Sequence, residues 1–432
     1  APAPAEGPVD AASLATVTIE EPELCSRYSA RVIEGIRVRE AAPKGQERLR
    51  GLGMNPISAP VDATNHVLWD IGQPTHAFDL DTLAKGADGR PAIVVRRARA
   101  GEKLVTLDGV ERTLSPEHLV IADAEKPVAL AGVMGGLHTA ITPSTTRVLL
   151  ESAHFSATAV RKTARLLGMH TDASHRFERG TDPATTVDGL DRVTALLVAD
   201  CGGTVARGIV DVVAREIPRK TVTLRHARLV SFLGMEVPKE RCVEILSALS
   251  FGISETAPGV LEVTVPSWRV DVDQECDLIE EVIRVVGYGS LPETLPHAFN
   301  PTWSEPILAR EDRARDVLAA AGFVEACSYS FVSAEENAPF ASAVDGSAPV
   351  IANALGEPFT TMRATPVVGL LRAARHNVRR GLHDLALFEV GRSYALASGR
   401  PVEHRRAAVL LHGRRGVHWA AEARPADFYD GS

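Results

Sequence analysis

Apolar and polar positions alternate along residues 17–38, and the β-branched run Arg31-Val-Ile-Glu-Gly-Ile-Arg-Val predicts a strand there. Residues 46–52 predict a short helix. Residues 55–79 scatter Pro, Asn and Gly between short apolar stretches and predict a loop-rich segment that buries Trp69 and Phe78. Strands are predicted at 92–97, 103–107, 119–122, 127–132 and 147–151, with Asp108-Gly109 and Gly135-Gly136 as turns. Helical spacing then takes over at 156–167 and 181–201, the second ended by Gly202-Gly203. A smaller unit follows: strand 221–224, helix 226–233, a turn at Gly234, helix 239–249, strand 261–265 and helix 276–286, with a helix-turn-helix character. Pro292, Pro296, Pro301 and Pro306 punctuate a linker. Beyond it come an amphipathic helix at 307–321, a strand at 324–331, a basic helix at 365–380 and a strand at 385–391.

This order predicts an α+β multidomain chain. Its parts are a linker (1–15), a mixed domain (16–210), a small helical domain (211–292), a second linker (293–306) and a third domain (307–432). Residues 1–8 read as a Pro/Ala tether without the basic region and apolar core of a signal peptide. Residues 426–432 end without a capping helix, as an element cut partway does.

Composition narrows the classes. A chain of 432 residues holds about two to four domains. With 47 Lys and Arg against 55 Asp and Glu, the net charge of −8 excludes a chain-wide basic surface, so any RNA contact is local. Hydrophobic residues at 45% and charged at 24% exclude a disordered chain, and no apolar run approaches the roughly eighteen residues of a membrane span. Five isolated cysteines without a Cys-x-x-Cys spacing point to reduced thiols in a cytoplasmic protein.

No Walker A sequence, Gly-x-Ser-x-Gly elbow, His-Glu-x-x-His or Gly-x-Gly-x-x-Gly is present. Four constellations remain. Thr64-Asn65 with Gln73-Pro74-Thr75-His76 places an imidazole in a Pro-restricted segment, where it either orients a water or substrate ester or simply binds loop backbone. Ala131-Gly132 in a small-residue turn, followed by Glu151 at a strand end, makes either a close approach to a ligand or a plain hairpin. Thr171-Asp-Ala173 either lines a pocket or starts an ion-paired turn. Asp277, Glu280 and Glu281 share one helix face that Asp271 reaches from the preceding loop. Such crowding needs a cation, with Mg2+ set against Arg269 and Arg284.

Together these residues resemble the β subunit family of bacterial phenylalanine–tRNA ligases. The likeness runs through Val61-Asp-Ala-Thr-Asn-His-Val, Gly72-Gln-Pro-Thr-His-Ala-Phe-Asp, Ala131-Gly-Val-Met-Gly-Gly and Glu151-Ser-Ala-His-Phe. It continues through Thr171-Asp-Ala-Ser-His-Arg-Phe-Glu-Arg-Gly, Ser267-Trp-Arg-Val-Asp, Asp277-Leu-Ile-Glu-Glu-Val-Ile-Arg and Leu387-Phe-Glu-Val-Gly-Arg. The chain departs from the family at His66, usually Tyr, and at Ala41-Ala-Pro-Lys-Gly, usually Ser-Pro-x-Trp.

The resemblance implies a B3/B4-type editing domain, a B5 domain and a partial class II synthetase-like antiparallel-sheet domain without an active site. The family's N-terminal OB-fold and C-terminal anticodon-recognition regions have no counterpart in the sequence. It also implies ATP-dependent charging of tRNAPhe by an α subunit, within a heterotetramer of two α and two β, and hydrolysis of mischarged Tyr-tRNAPhe by this subunit. Carried over, His76 and Glu151 are catalytic, and Thr64, Asn65, Pro74, Ala131, Gly132, Thr171 and Ala173 line the editing pocket. Asp271, Asp277, Glu280 and Glu281 are expected as ligands of a Mg2+ shared with the α subunit, while ATP is used by the holoenzyme. An alternative is a catalytically silent RNA-binding scaffold. A DNA-binding regulator is opposed by the acidic face at 277–281, and neither DNA nor membrane is expected as a partner.

Overall fold

The tract Cys25-Ser-Arg-Tyr-Ser-Ala-Arg-Val-Ile-Glu contains neither Gly nor Pro and forms the long strand at the heart of the first sheet. It stops at Gly35, whose φ of +74° turns the chain, so the strand lies earlier than the alternation predicts. The computed structural model describes residues 4–294, 305–343, 346–414 and 425–426. They belong to two units, Ala1–Thr294 and Leu295–Ser432. Most of the predicted 293–306 linker lies outside the described residues.

In chain order the larger domain of the first unit contains β1 (Glu6–Asp10), α1 (Ala11–Leu14), β2 (Thr16–Ile19), β3 (Cys25–Glu34), α2 (Pro43–Gly51), α3 (Ala59–Ile71) and β4 (Thr75–Asp79). Next come β5 (Ala92–Arg97), β6 (Lys103–Val105), β7 (Glu111–Thr113), β8 (Leu119–Ala122), β9 (Pro127–Leu130), β10 (Met134–Gly135) and β11 (Arg147–Phe155). It closes with α4 (Ala157–Leu166), α5 (Asp172–Phe177), α6 (Thr186–Cys201), β12 (Thr204–Arg207) and β13 (Val210–Val213). One sheet has the order β1-β12-β3-β11-β4 with β13 also on β3, and a second has the order β10-β9-β8-β5-β2.

Side chains of a strand alternate between faces, and here both faces of the first sheet are covered. Tyr28, Ala30, Val32, Phe78, Leu149 and Phe155 meet the second sheet through Ile93, Val95, Leu119 and Ile121. On the other face Ile33, Ala77, Val148 and Leu150 meet Ala59, Ala63 and Val67 of α3 and Leu190, Val193 and Leu197 of α6. The result is a three-layer stack of helices, sheet and sheet.

Four expectations are corrected here. Residues 6–14 are ordered rather than a linker: β1 pairs with β12, and Ala11 and Ala15 lie in the core. An Ala-rich tract carries no periodic signal, and the pairing partner is far along the chain. Residues 59–71 are a helix rather than loop, because Pro60 sits in the first turn, where its missing N–H costs no intrahelical bond. Gly72 ends that helix at φ +73°. Trp69 is 41% exposed rather than buried, while Phe78 is enclosed as expected. Helix α6 begins later than 181, since Asp182 caps a separate turn at Pro183–Thr185.

The small domain comprises β14 (Thr221–Arg225), α7 (His226–Leu233), α8 (Lys239–Ala248), β15 (Gly252–Ala257), β16 (Val260–Thr264) and α9 (Glu275–Val286). Its sheet order is β14-β16-β15, around a core that includes Leu229, Leu246, Leu261 and Leu278. Strand β15 escapes pattern reading because all but Ile253 of its side chains are exposed.

The second unit contains α10 (Pro306–Ala320), β17 (Val324–Glu325), β18 (Phe331–Val332), α11 (Ala334–Asn337), β19 (Thr361–Met362), α12 (Val367–Val378), β20 (Leu385–Ala397) and β21 (Arg400–His412). The predicted strand at 324–331 is two short ones in different sheets. Arg363 precedes α12 and is buried against Glu389 at 2.6 Å. Arg372 of α12 pairs with Glu336. No helix among the described residues is long and apolar enough to cross a membrane.

Candidate functional site

The register of the first sheet sets His76 of β4 opposite Glu151 of β11, which in turn faces Ala30 of β3. Alternation then sends His76, Glu151, Phe78 and Tyr28 toward the second sheet, Tyr28 lying diagonally from Glu151 because it faces Ala153. The two catalytic candidates are therefore cross-strand neighbours.

Glu151 is 6% exposed and its Oε2 has no hydrogen-bond partner. Burial pushes its pKa up to about 8, opposed by the neighbouring Tyr28 hydroxyl. That hydroxyl lies close enough to interact, yet neither it nor the Glu151 Oε2 has a hydrogen-bond partner, so both atoms remain available to a ligand. Burial and the Glu151 carboxyl together push the Tyr28 pKa well up. The imidazole of His76 has an enclosed, unpartnered Nε2, and burial lowers its pKa to about 4. Its ring stands edge-on to Phe78 at 4.5 Å. At neutral pH the site thus holds a protonated carboxyl, a phenol and a neutral imidazole.

Gly135 of β10 closes the wall over His76. A Cβ there would lie 2.5 Å from Cε1 and 2.8 Å from Nε2 of the imidazole, so only glycine admits the ring. Sequence reasoning does not single out Tyr28, and it reaches Gly135 only as the end of the small-residue stretch 127–136, read either as a close approach to a ligand or as a turn. The available signal was modest: Tyr28 is the one aromatic residue of β3, at an inward position of its alternation.

The remaining candidates have structural partners. Thr171 caps α5: its hydroxyl accepts from the Ser174 amide at 3.0 Å and donates to the Val133 carbonyl at 2.8 Å, tying the helix to the 131–133 turn. Gly132 has φ +69°, and a Cβ on it would lie 2.9 Å from both Phe177 and Val160. Ala131 is 1% exposed in the core. The glycine and alanine of this turn are thereby explained by packing. Thr64 donates back to the Val61 carbonyl of its own helix at 2.7 Å. Pro74 is buried beside Gln73, whose amide donates to the Pro74 and Ala153 carbonyls.

Helices α3 and α5 meet where the Arg176 guanidinium lies 4.6 Å over the Trp69 ring. Asn65 is one turn before Trp69 and Ala173 one turn before Arg176, which puts these two candidates on the same sides of their helices as the contact. Helix α3 packs on the sheet face opposite His76 and Glu151. Among the described residues, neither Thr64 nor Asn65 is hydrogen-bonded to His76 or Glu151. A cavity of about 490 Å3 beside α2, α3 and α6 is lined by Arg48, His66, Trp69 and Arg192 and does not reach His76 or Glu151. The unsatisfied buried atoms, rather than open volume, mark the chemistry.

The four carboxylates expected around Mg2+ are held otherwise. Glu281 is gripped by Arg269 at 2.8 Å and Arg284 at 2.7 Å, and Asp271 pairs with Arg269 at 2.7 Å. Asp277 accepts from the Asp273 and Gln274 amides in a capping box, and Glu280 is exposed. Among the described residues no three of these carboxylates bring ligand atoms within 4.8 Å of one another. In this chain by itself Arg269 and Arg284 offset the charge of the crowded face.

Known proteins bear on this geometry. Residues 24–202 match the B3/4 domain, 222–288 the tRNA synthetase B5 domain, and 291–431 the phenylalanyl tRNA synthetase beta chain CLM domain. The phenylalanine–tRNA ligase beta subunit of Anaeromyxobacter dehalogenans is 44% identical over 98% of this chain and 54% of its own length. That of Geobacter sulfurreducens is 42% identical, over 96% and 52%. That of Moorella thermoacetica is 40% identical, over 99% and 53%. The chain spans about half the length of these curated relatives. With three successive domains matched in order and such identity along almost every residue, the chain belongs to the phenylalanine–tRNA ligase beta subunit family.

Proposed function

We propose that this chain carries the editing half of a phenylalanine–tRNA ligase and hydrolyses Tyr-tRNAPhe between its two large sheets. The supporting observation is the row of buried Glu151 and Tyr28 with half-buried His76, each carrying an enclosed, unsatisfied polar atom. A synthetic pocket shaped for phenylalanine discriminates weakly against one added hydroxyl, so a second, polar site is needed to remove tyrosine. The Glu151 carboxyl meets the tyrosine hydroxyl, and phenylalanine, which cannot answer it, is disfavoured because the buried group stays unpaired. The neutral His76 orients the attacking water or the tRNA terminus. We assign no general base.

Asn65 and Ala173 form the rim beside the Trp69–Arg176 contact, while Thr64, Pro74, Ala131, Gly132 and Thr171 shape the surrounding backbone. Charging of tRNAPhe, with ATP and Mg2+, belongs in this proposal to the assembly with the α subunit. Asp271, Asp277 and Glu281 are not proposed as a preformed Mg2+ site, since Arg269, Arg284 and backbone amides already hold them. With the β subunit paired to its α partner, Glu151→Gln and His76→Ala are each expected to slow Tyr-tRNAPhe deacylation by about a hundredfold. Unchanged deacylation in both variants would overturn the assignment.

A further inference from the structure

A separate group of ligating atoms stands on α5 and its two flanks, outside the row of Glu151 and His76. His170 precedes the capping Thr171, and His175 and Glu178 follow one turn apart. Among the described residues these three are the one set of His, Cys, Asp or Glu side chains whose ligand atoms all lie within 4.8 Å of one another. His170 Nε2 and His175 Nδ1 are 3.4 Å apart. That is the edge of a tetrahedron whose centre lies about 2.0–2.1 Å from each nitrogen, the bond length of Zn2+ to imidazole.

The focus of the group already attracts a cation. Arg179 Nη1 lies 3.1 Å from His175 Nδ1 and 2.6 Å from Glu178 Oε1. The Arg179 side chain is 59% exposed, so it can swing into solvent and leave the three ligands facing a common point.

We propose that His170, His175 and Glu178 form a binding site for a first-row transition cation of the Zn2+ class, which exchanges with Arg179. Two imidazoles and one carboxylate favour such ions over Mg2+ or Ca2+, which prefer all-oxygen shells. Three protein ligands leave a fourth position open to water. Because α5 also carries Ala173 and Arg176, the ion braces the helix at the rim of the proposed editing cleft.

The test uses the full chain, untagged and stripped with chelator, titrated calorimetrically with Zn2+ and spectroscopically with Co2+. One Zn2+ per chain and a tetrahedral Co2+ spectrum are expected. His170→Ala and His175→Gln should each weaken binding by at least about tenfold, and Arg179→Ala should bind at least as tightly as the parent. Thermal melting without metal checks that the variants are folded. The proposal is overturned if neither the parent nor Arg179→Ala binds, if the histidine variants keep the parent affinity, or if Arg179→Ala binds more weakly.

Discussion

Glu151 illustrates how a single buried carboxyl sets a cost to folding. Its pKa of about 8 in the folded chain lies above the ordinary carboxyl value of 4.5, so the folded state retains a proton that the unfolded chain releases. The protonated form is compatible with burial at low pH, and stability falls as pH rises from 4.5 through 8, by roughly 4–5 kcal/mol in all. Glu151→Gln stays neutral throughout. Its stability relative to the parent is therefore expected to match near pH 4.5, to rise through neutrality and to level off above pH 8, as urea denaturation at a series of pH values would reveal. A constant difference across that range would mean that the carboxyl is solvated. His76 acts in the opposite direction: its folded pKa of about 4 lies below 6.5, so acid destabilises the folded state as pH falls through that interval. Residue identity was legible in sequence for both groups. Their adjacency was not, because it depends on the register of β4 against β11, set by chain folding across seventy-five residues.

Elements were legible where periodicity and punctuation agree. Helix α7 and strands β5 and β8 fall where the pattern places them, the helix stopped by Gly234 in the left-handed region. Helix α3 was misread since proline marks a helix start as readily as a break, and β15 since an exposed strand has no inward stripe. On helix α9 the crowding of carboxylates is legible in the sequence, whereas the pairing of Arg269 with Glu281 depends on the loop conformation that brings them together. The arginine lowers the Glu281 pKa, so this stabilisation is present above the ordinary carboxyl range and is lost as pH falls through the depressed value. Arg269→Ala is expected to cost about 2–4 kcal/mol near pH 7, because Glu281 is 6% exposed, and less in acid. Adding Mg2+ or chelator to the parent chain alone should leave its melting temperature unchanged. A clear Mg2+-dependent rise would show that metal, not arginine, balances α9.

At the scale of the whole molecule the two units have unequal cores. The first is built on three extensive apolar clusters, whereas the second shows, among its described residues, only Ala364 and Ala395 packed with Phe340 as a cluster, and α10 has no buried residue. Calorimetry of the chain is expected to show two transitions, the second unit melting first, with deletion of residues 295–432 removing the lower one; a single cooperative transition would contradict this. The division after Thr294 falls within the proline-punctuated tract of the sequence. Strand β11 is laddered to neighbours on both sides, while β10 is a two-residue strand at the end of its sheet. Deuterium should therefore enter β10 long before it enters β11. Because the only slack against the imidazole is the missing side chain of Gly135, with Leu107 also 3.2 Å from where a Cβ would sit, the position of His76 is set by an absence, and any residue larger than glycine there moves the ring before it touches anything else.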